Sequence, residues 1–216
     1  MSHMMRRILA ILMAVLMTAA LAACGSSDTP APADTAPAAE DSAEQTPEET
    51  PEQTDAPAES RVLVVVFSAT GTTKGVAEKI AAIEGADLYE IKAAEEYTDA
   101  DLDWHDNTSR TTLEQNDSSA RPAIGSEPVS LTGYTTVYIG YPIWWGEEPR
   151  ILDTFVENCD FDGITVIPFC TSSSSSIGRS GQNLADNAGS GNWLEGRRFA
   201  GGVSEEDLRS WIEGLK

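Results

Sequence analysis

Residues 61–216 are predicted to form an α/β fold, a doubly wound sheet of five parallel strands with helices on both faces. Val62-Leu63-Val64-Val65-Val66-Phe67 is an unbroken apolar run, the pattern of a strand buried on both faces. Beyond it, apolar runs of strand length alternate with stretches of helical period, which calls for parallel strands joined by crossover helices. Polar loops follow the first, third and fourth of these strands, at the ends where open α/β sheets place their ligands.

After the first strand comes Ser68-Ala69-Thr70-Gly71-Thr72-Thr73, then a helix with Val76, Ala77, Ile80, Ala81 and Ile83 on one face. The second strand is read at Ala86 to Ile91. Residues 95–127 break the rhythm, being polar and too long for a simple connection, and are expected to hold a short helix and to fold over a site. Within them Arg110 and Glu114 stand one helical turn apart, a pairing that steadies a helix. Trp104, a large aromatic in polar surroundings, is expected to cover something. His105 beside it has no His or Cys at ligand spacing, so no metal site is read.

The remaining strands are expected at Thr136 to Tyr141, Ile164 to Phe169 and Arg198 to Val203, with helices at Pro149 to Asn158, Ser180 to Asn187 and Ser204 to Leu215. Cys159 and Cys170 then flank the fourth strand. At about 3.3 Å per residue they lie roughly 20 Å apart, beyond the ~7 Å that a disulfide spans, so both should stay free.

Two further segments precede this domain. Arg6 and Arg7 lead an apolar run from Ile8 to Ala23, short for about 30 Å of hydrocarbon, so residues 1–23 read as an export signal. Leu21-Ala22-Ala23-Cys24 resembles the bacterial lipobox. That resemblance implies diacylation of Cys24 as the mature N-terminus, a two-chain anchor on the extracytoplasmic face of the cell membrane. Residues 24–60 are an acidic Ala/Pro/Thr tether: from Ser26 to Ser60 there is no Lys, Arg or aromatic residue, and such a stretch cannot offset its ordering entropy by burial. The whole chain sets 14 Lys and Arg against 35 Asp and Glu, a net charge of −21. That charge repels phosphate backbones, so nucleic acid is excluded as a partner.

Three loops carry the chemistry. Ser68, Thr70, Gly71, Thr72 and Thr73 offer hydroxyls and backbone N–H groups at the start of a helix, where the macrodipole favours an anion. The loop lacks the lysine of a nucleoside-triphosphate loop and the three-glycine dinucleotide pattern, so a monophosphate suits it; a turn of this kind also serves as a plain helix cap. Lys74 could reach the site. Pro142-Ile143-Trp144-Trp145-Gly146 follows the third strand and offers aromatic faces to a planar ring, the alternative being that one indole packs into the core. Thr171-Ser172-Ser173-Ser174-Ser175-Ser176-Ile177-Gly178 follows the fourth, a hydroxyl-rich loop able to read a heterocycle's edge.

Taken together, the strand-Ser-x-Thr-Gly-x-Thr turn, the Pro-x-Trp-Trp-Gly loop and the Thr-Ser-rich loop resemble the flavodoxin family. The resemblance implies a strand order 2-1-3-4-5 and non-covalent FMN. It implies that Ser68, Thr70, Gly71, Thr72 and Thr73 hold the FMN phosphate, that Pro142, Ile143, Trp144, Trp145 and Gly146 flank the isoalloxazine, and that Thr171, Ser172, Ser173, Ser174 and Gly178 line its pyrimidine side. Where flavodoxins often add a second aromatic, this chain has serines, which leaves one ring face open or covered by residues 95–127. Glu147 and Glu148, next to the tryptophans, are expected to oppose the anionic reduced ring. Flavin chemistry needs no catalytic side chain, because the cofactor supplies the redox step. The expected function is electron transfer with redox partner proteins or small acceptors. The alternatives are an NAD(P)H-dependent quinone reductase and a flavin-free surface binding lipoprotein.

Overall fold

The computed structural model describes residues 61–216; the export signal, Cys24 and the tether lie outside the described residues. The strands are β1 (Val62–Phe67), β2 (Asp87–Ile91), β3 (Thr136–Pro142), β4 (Thr165–Thr171), β5 (Asn192–Trp193) and β6 (Arg197–Phe199). The helices are α1 (Thr72–Glu84), α2 (Arg110–Asn116), α3 (Arg150–Glu157), α4 (Ser180–Ala188) and α5 (Glu205–Glu213). All strand pairs are parallel, in the order β2-β1-β3-β4-β5, as expected.

Alternation along the strands sorts the core into two layers. Leu63, Val65 and Phe67 of β1 face α3 and α4, packing with Ile151, Leu152, Phe155 and Leu184. Val64 and Val66 face α1 and α5, packing with Val76, Ile80, Leu208 and Trp211. The Ser68–Thr73 loop, the Trp144–Trp145 turn and the loop after β4 therefore emerge together at the carboxyl end of the sheet.

The fifth position differs from expectation. Instead of one strand over Arg198 to Val203, β4 pairs with two short pieces, β5 opposite Thr165 and Val166 and β6 opposite Phe169 to Thr171. Between them Leu194-Glu195-Gly196 faces only Ile167-Pro168, one residue too many for a regular ladder, and Pro168 has no N–H to donate. A Cβ at Gly196 would lie 2.8 Å from the Pro168 carbonyl oxygen, so the bulge requires glycine. Residues 200–203 instead form a turn whose Val203 carbonyl accepts from Lys79 Nζ at 2.8 Å. Residues 95–127 do contain a short helix, α2, capped by Ser109, whose side chain accepts from the Thr112 N–H.

Cys159 and Cys170 are both free. Burial pushes their thiols up to about 11 and about 12, so both stay protonated at neutral pH. No helix among the described residues is long and apolar enough to cross a membrane.

Candidate functional site

Gly71 starts α1 with φ 82°, a left-handed conformation that glycine adopts without strain. The turn it makes leaves the first N–H groups of α1 without helical partners and puts the hydroxyls of Thr70 and Thr72 3.4 Å apart, both exposed. Thr73 is turned the other way. It is buried, and its hydroxyl is 2.7 Å from that of Thr171 at the end of β4. Those two expected ligands therefore brace the loop against the sheet with their side chains. Lys74 also points away, ion-paired at 2.8 Å with Glu90, whose hydrogen bond and charge raise the ammonium pKa. The N-terminal end of α1 thus presents neutral donors to the solvent.

The two tryptophans divide the roles their sequence left open. Trp144 and Glu147 exchange backbone hydrogen bonds, each 3.0 Å, closing a two-residue turn with φ 51° at Trp145 and 86° at Gly146. Positive φ at both central positions is the geometry of the tightest hairpins. Within it the Trp144 indole packs edge-on against Phe67 and Tyr97, at centroid distances of 5.6 and 5.3 Å. Trp145, at the tip, is 43% exposed. A bulky residue in this region of φ is strained, and such strain persists only where the surroundings enforce it.

Between the two loops lies a cavity of about 360 Å³ lined by Ser68, Ala69, Thr70, Thr72 and Thr73, by Pro142, Ile143, Trp144 and Trp145, and by Leu102, Trp104 and Thr111. The last three come from the 95–127 segment, which forms one wall. Trp104 is 67% exposed, with its ring against His105. Arg110 and Glu114 do pair, at 2.7 Å, and they also hold Tyr97: Glu114 accepts from its hydroxyl at 2.7 Å, and the Arg110 guanidinium lies 4.0 Å from the ring centre. Burial, reinforced by that carboxylate, raises the Tyr97 hydroxyl pKa, so it remains a donor.

The loop after β4 does not line this cavity. Ser172 spends its hydroxyl on the N–H groups of Ser174 and Ser175, while its carbonyl accepts from Arg198. Ser173 and Ser174 are exposed. Gly178 approaches the tryptophan turn, a Cβ there coming 3.6 Å from the Gly146 carbonyl oxygen.

Glu147 and Glu148, expected to oppose an anionic ring, are both engaged by partners behind the turn. Glu148 is 1% exposed and turned inward, accepting from Asn183 at 3.2 Å, and burial raises its carboxyl to about 7. Glu147 is ion-paired with Arg150 at 2.7 Å. Arg150, itself buried, also lies 3.8 Å from Glu148 and 3.6 Å from Asp153. One cation thus serves three carboxylates directly behind the turn. Arg150 and Gln115, a buried residue that bonds the turn from α2, are not expected from the sequence pattern. Arg150 carried a weak signal as a lone cation among acids; Gln115 carried none.

The family whose sequence model matches the chain is described as flavodoxin, over residues 61–215. A candidate flavoprotein from Bacteroides uniformis is 49% identical, with a TM-score of 0.68 over 71% of this chain and 98% of that one. One from Bacteroides eggerthii is 47% identical, with a TM-score of 0.68 over 72% and 98%. A Lactobacillus acidophilus flavoprotein, crystallised in complex with FMN, is 23% identical, with a TM-score of 0.54 over 71% and 99%. No curated protein matches the chain significantly.

Proposed function

The chain belongs to the flavodoxin family, and on that premise we propose that it binds one FMN non-covalently and transfers electrons, tethered to the outer face of the cytoplasmic membrane through a lipidated Cys24. The observation that supports this best is the cavity that joins the hydroxyl-rich end of α1 to the tryptophan turn. Thr70, Thr72 and the free N–H groups of α1 would hold the phosphate, and Trp145 would flank the ring. A phosphate dianion needs no cation there, because the helix macrodipole and charge-assisted hydrogen bonds favour it. The FMN complex of the Lactobacillus acidophilus protein fits this choice of cofactor. Bound flavin supplies the redox chemistry; the chain supplies position, stacking and exclusion of water.

Flavin fluorescence quenching tests the cofactor. FMN should bind far more tightly than riboflavin. Thr70→Val and Thr72→Val should each weaken FMN by about 1.5–3 kcal/mol, tenfold or more, with riboflavin nearly unchanged. Equal affinities for the two flavins would refute the phosphate assignment.

A second reading is hydride transfer from a nicotinamide cofactor to a quinone. It draws on Trp104 and Trp145, both exposed at the cavity, as places where a second planar molecule could stack. Rapid steady-state turnover of NADH or NADPH with a quinone would favour it over the carrier. The anchor is tested separately: Cys24→Ala should release the protein from membrane fractions, and retention there would make the apolar run itself the anchor.

A further inference from the structure

The side chain of Gln115, in the last turn of α2, makes all its hydrogen bonds across the cavity wall. Its Nε2 donates to the carbonyls of Trp144 at 3.2 Å and Glu148 at 3.1 Å, while its Oε1 accepts from the Arg150 N–H at 3.3 Å. Its own backbone carbonyl accepts from Arg150 Nη2 at 3.2 Å. The residue is 8% exposed, so water cannot readily replace these bonds. The Trp144 carbonyl belongs to the peptide whose orientation relative to the next residue is set by φ of Trp145. Relaxing that φ from 51° to the negative region would swing this carbonyl away from Gln115.

We propose that Gln115 is a positioning residue: by pinning the Trp144–Trp145 peptide it holds Trp145 in its strained conformation at the cavity. This rests on the reading of the cavity as the FMN site. It gives the 95–127 segment a second role besides forming a wall, since the helix that this segment contributes fixes the stacking residue through the backbone.

The test is a double-mutant cycle on the full chain, with FMN and riboflavin affinities read by fluorescence quenching. Gln115→Ala should weaken both flavins by the same factor, about tenfold, because ring stacking is disturbed and phosphate binding is not. In a Trp145→Ala background the same substitution should change affinity less than twofold, since the residue it acts through is gone. Gln115→Met, which keeps the volume and removes the donors, should behave as Gln115→Ala does. An undiminished effect of Gln115→Ala in the Trp145→Ala background would overturn the proposal. So would a loss confined to FMN. Loss of native circular dichroism in both Gln115 variants would assign the residue to the fold as a whole and also overturn it. Absence of flavin binding by the parent chain would refute the cofactor reading and this proposal together, and is seen before any variant is made.

Discussion

Replacing Arg150 with alanine should destabilise the fold by about 3–5 kcal/mol at pH 8, because it strips the cation from buried Glu148 and leaves buried Asp153 with Arg121 alone, 3.9 Å away. Glu148 and Asp153 are each 1% exposed, and burial already raises both carboxyl pKa values with Arg150 present. The pH dependence follows from the same shift. Glu148 stands at about 7 in the folded chain against an ordinary 4.5, so the folded state holds this proton more tightly than the unfolded one. That contribution to stability is present below about 4.5 and is lost as pH rises through about 7. Without Arg150 the Glu148 and Asp153 carboxyls should rise further. The deficit of the variant relative to the parent therefore opens with rising pH and narrows as the acids protonate. Urea unfolding of parent and variant at pH 8 and pH 5 measures it, and a deficit of equal size at both would assign the loss to packing.

The second large effect concerns the middle of the sheet. Gly140 of β3 stands beside Phe169 of β4, and a Cβ on Gly140 would lie 2.2 Å from the Phe169 ring, which is fully buried. Gly140→Ala alone should cost about 3 kcal/mol by overpacking. Phe169→Ala alone should cost about 3–5 kcal/mol through lost burial and a cavity. The two losses should not add: in the Phe169→Ala background the Gly140 methyl enters vacated space, and its effect should fall to near zero or become stabilising. Chemical denaturation of the four chains measures the coupling. Additive losses would mean that the ring does not occupy the space above Gly140.

Features carried by a few adjacent residues were legible in the sequence. β1, the Gly71 turn and α1 form one local pattern, an apolar run followed by hydroxyls and a helical period, and each lies within a residue or so of its expected place. The Arg110–Glu114 pair was legible for the same reason, its partners being one turn apart. The fifth strand was misplaced because two- and three-residue strands have no periodicity to read. Their position is set by pairing with β4 and by the missing N–H of Pro168, while the apolar look of Ala200 and Val203 belongs to a turn. The site was legible as composition and not as orientation. Nothing adjacent to Glu148 says that it turns toward Asn183, 35 positions away, or that Thr73 meets Thr171 across 98. Such choices depend on which groups the topology brings together, and Gln115 meets Trp144 only because the long connection folds back over the sheet.

The divided edge of the sheet has a consequence for the behaviour of the protein at high concentration. An uninterrupted edge strand offers a row of unpaired amides and carbonyls on which a second molecule can add a strand, the first step toward aggregation. Here the edge beside β4 consists of pieces of two and three residues, separated by a bulge that holds Glu195 and turns the backbone, with Arg197 and Arg198 in the second piece. Neither run is long enough to seat another chain in register. The irregularity that hid this strand from the sequence pattern also makes that side of the sheet a poor template for self-association.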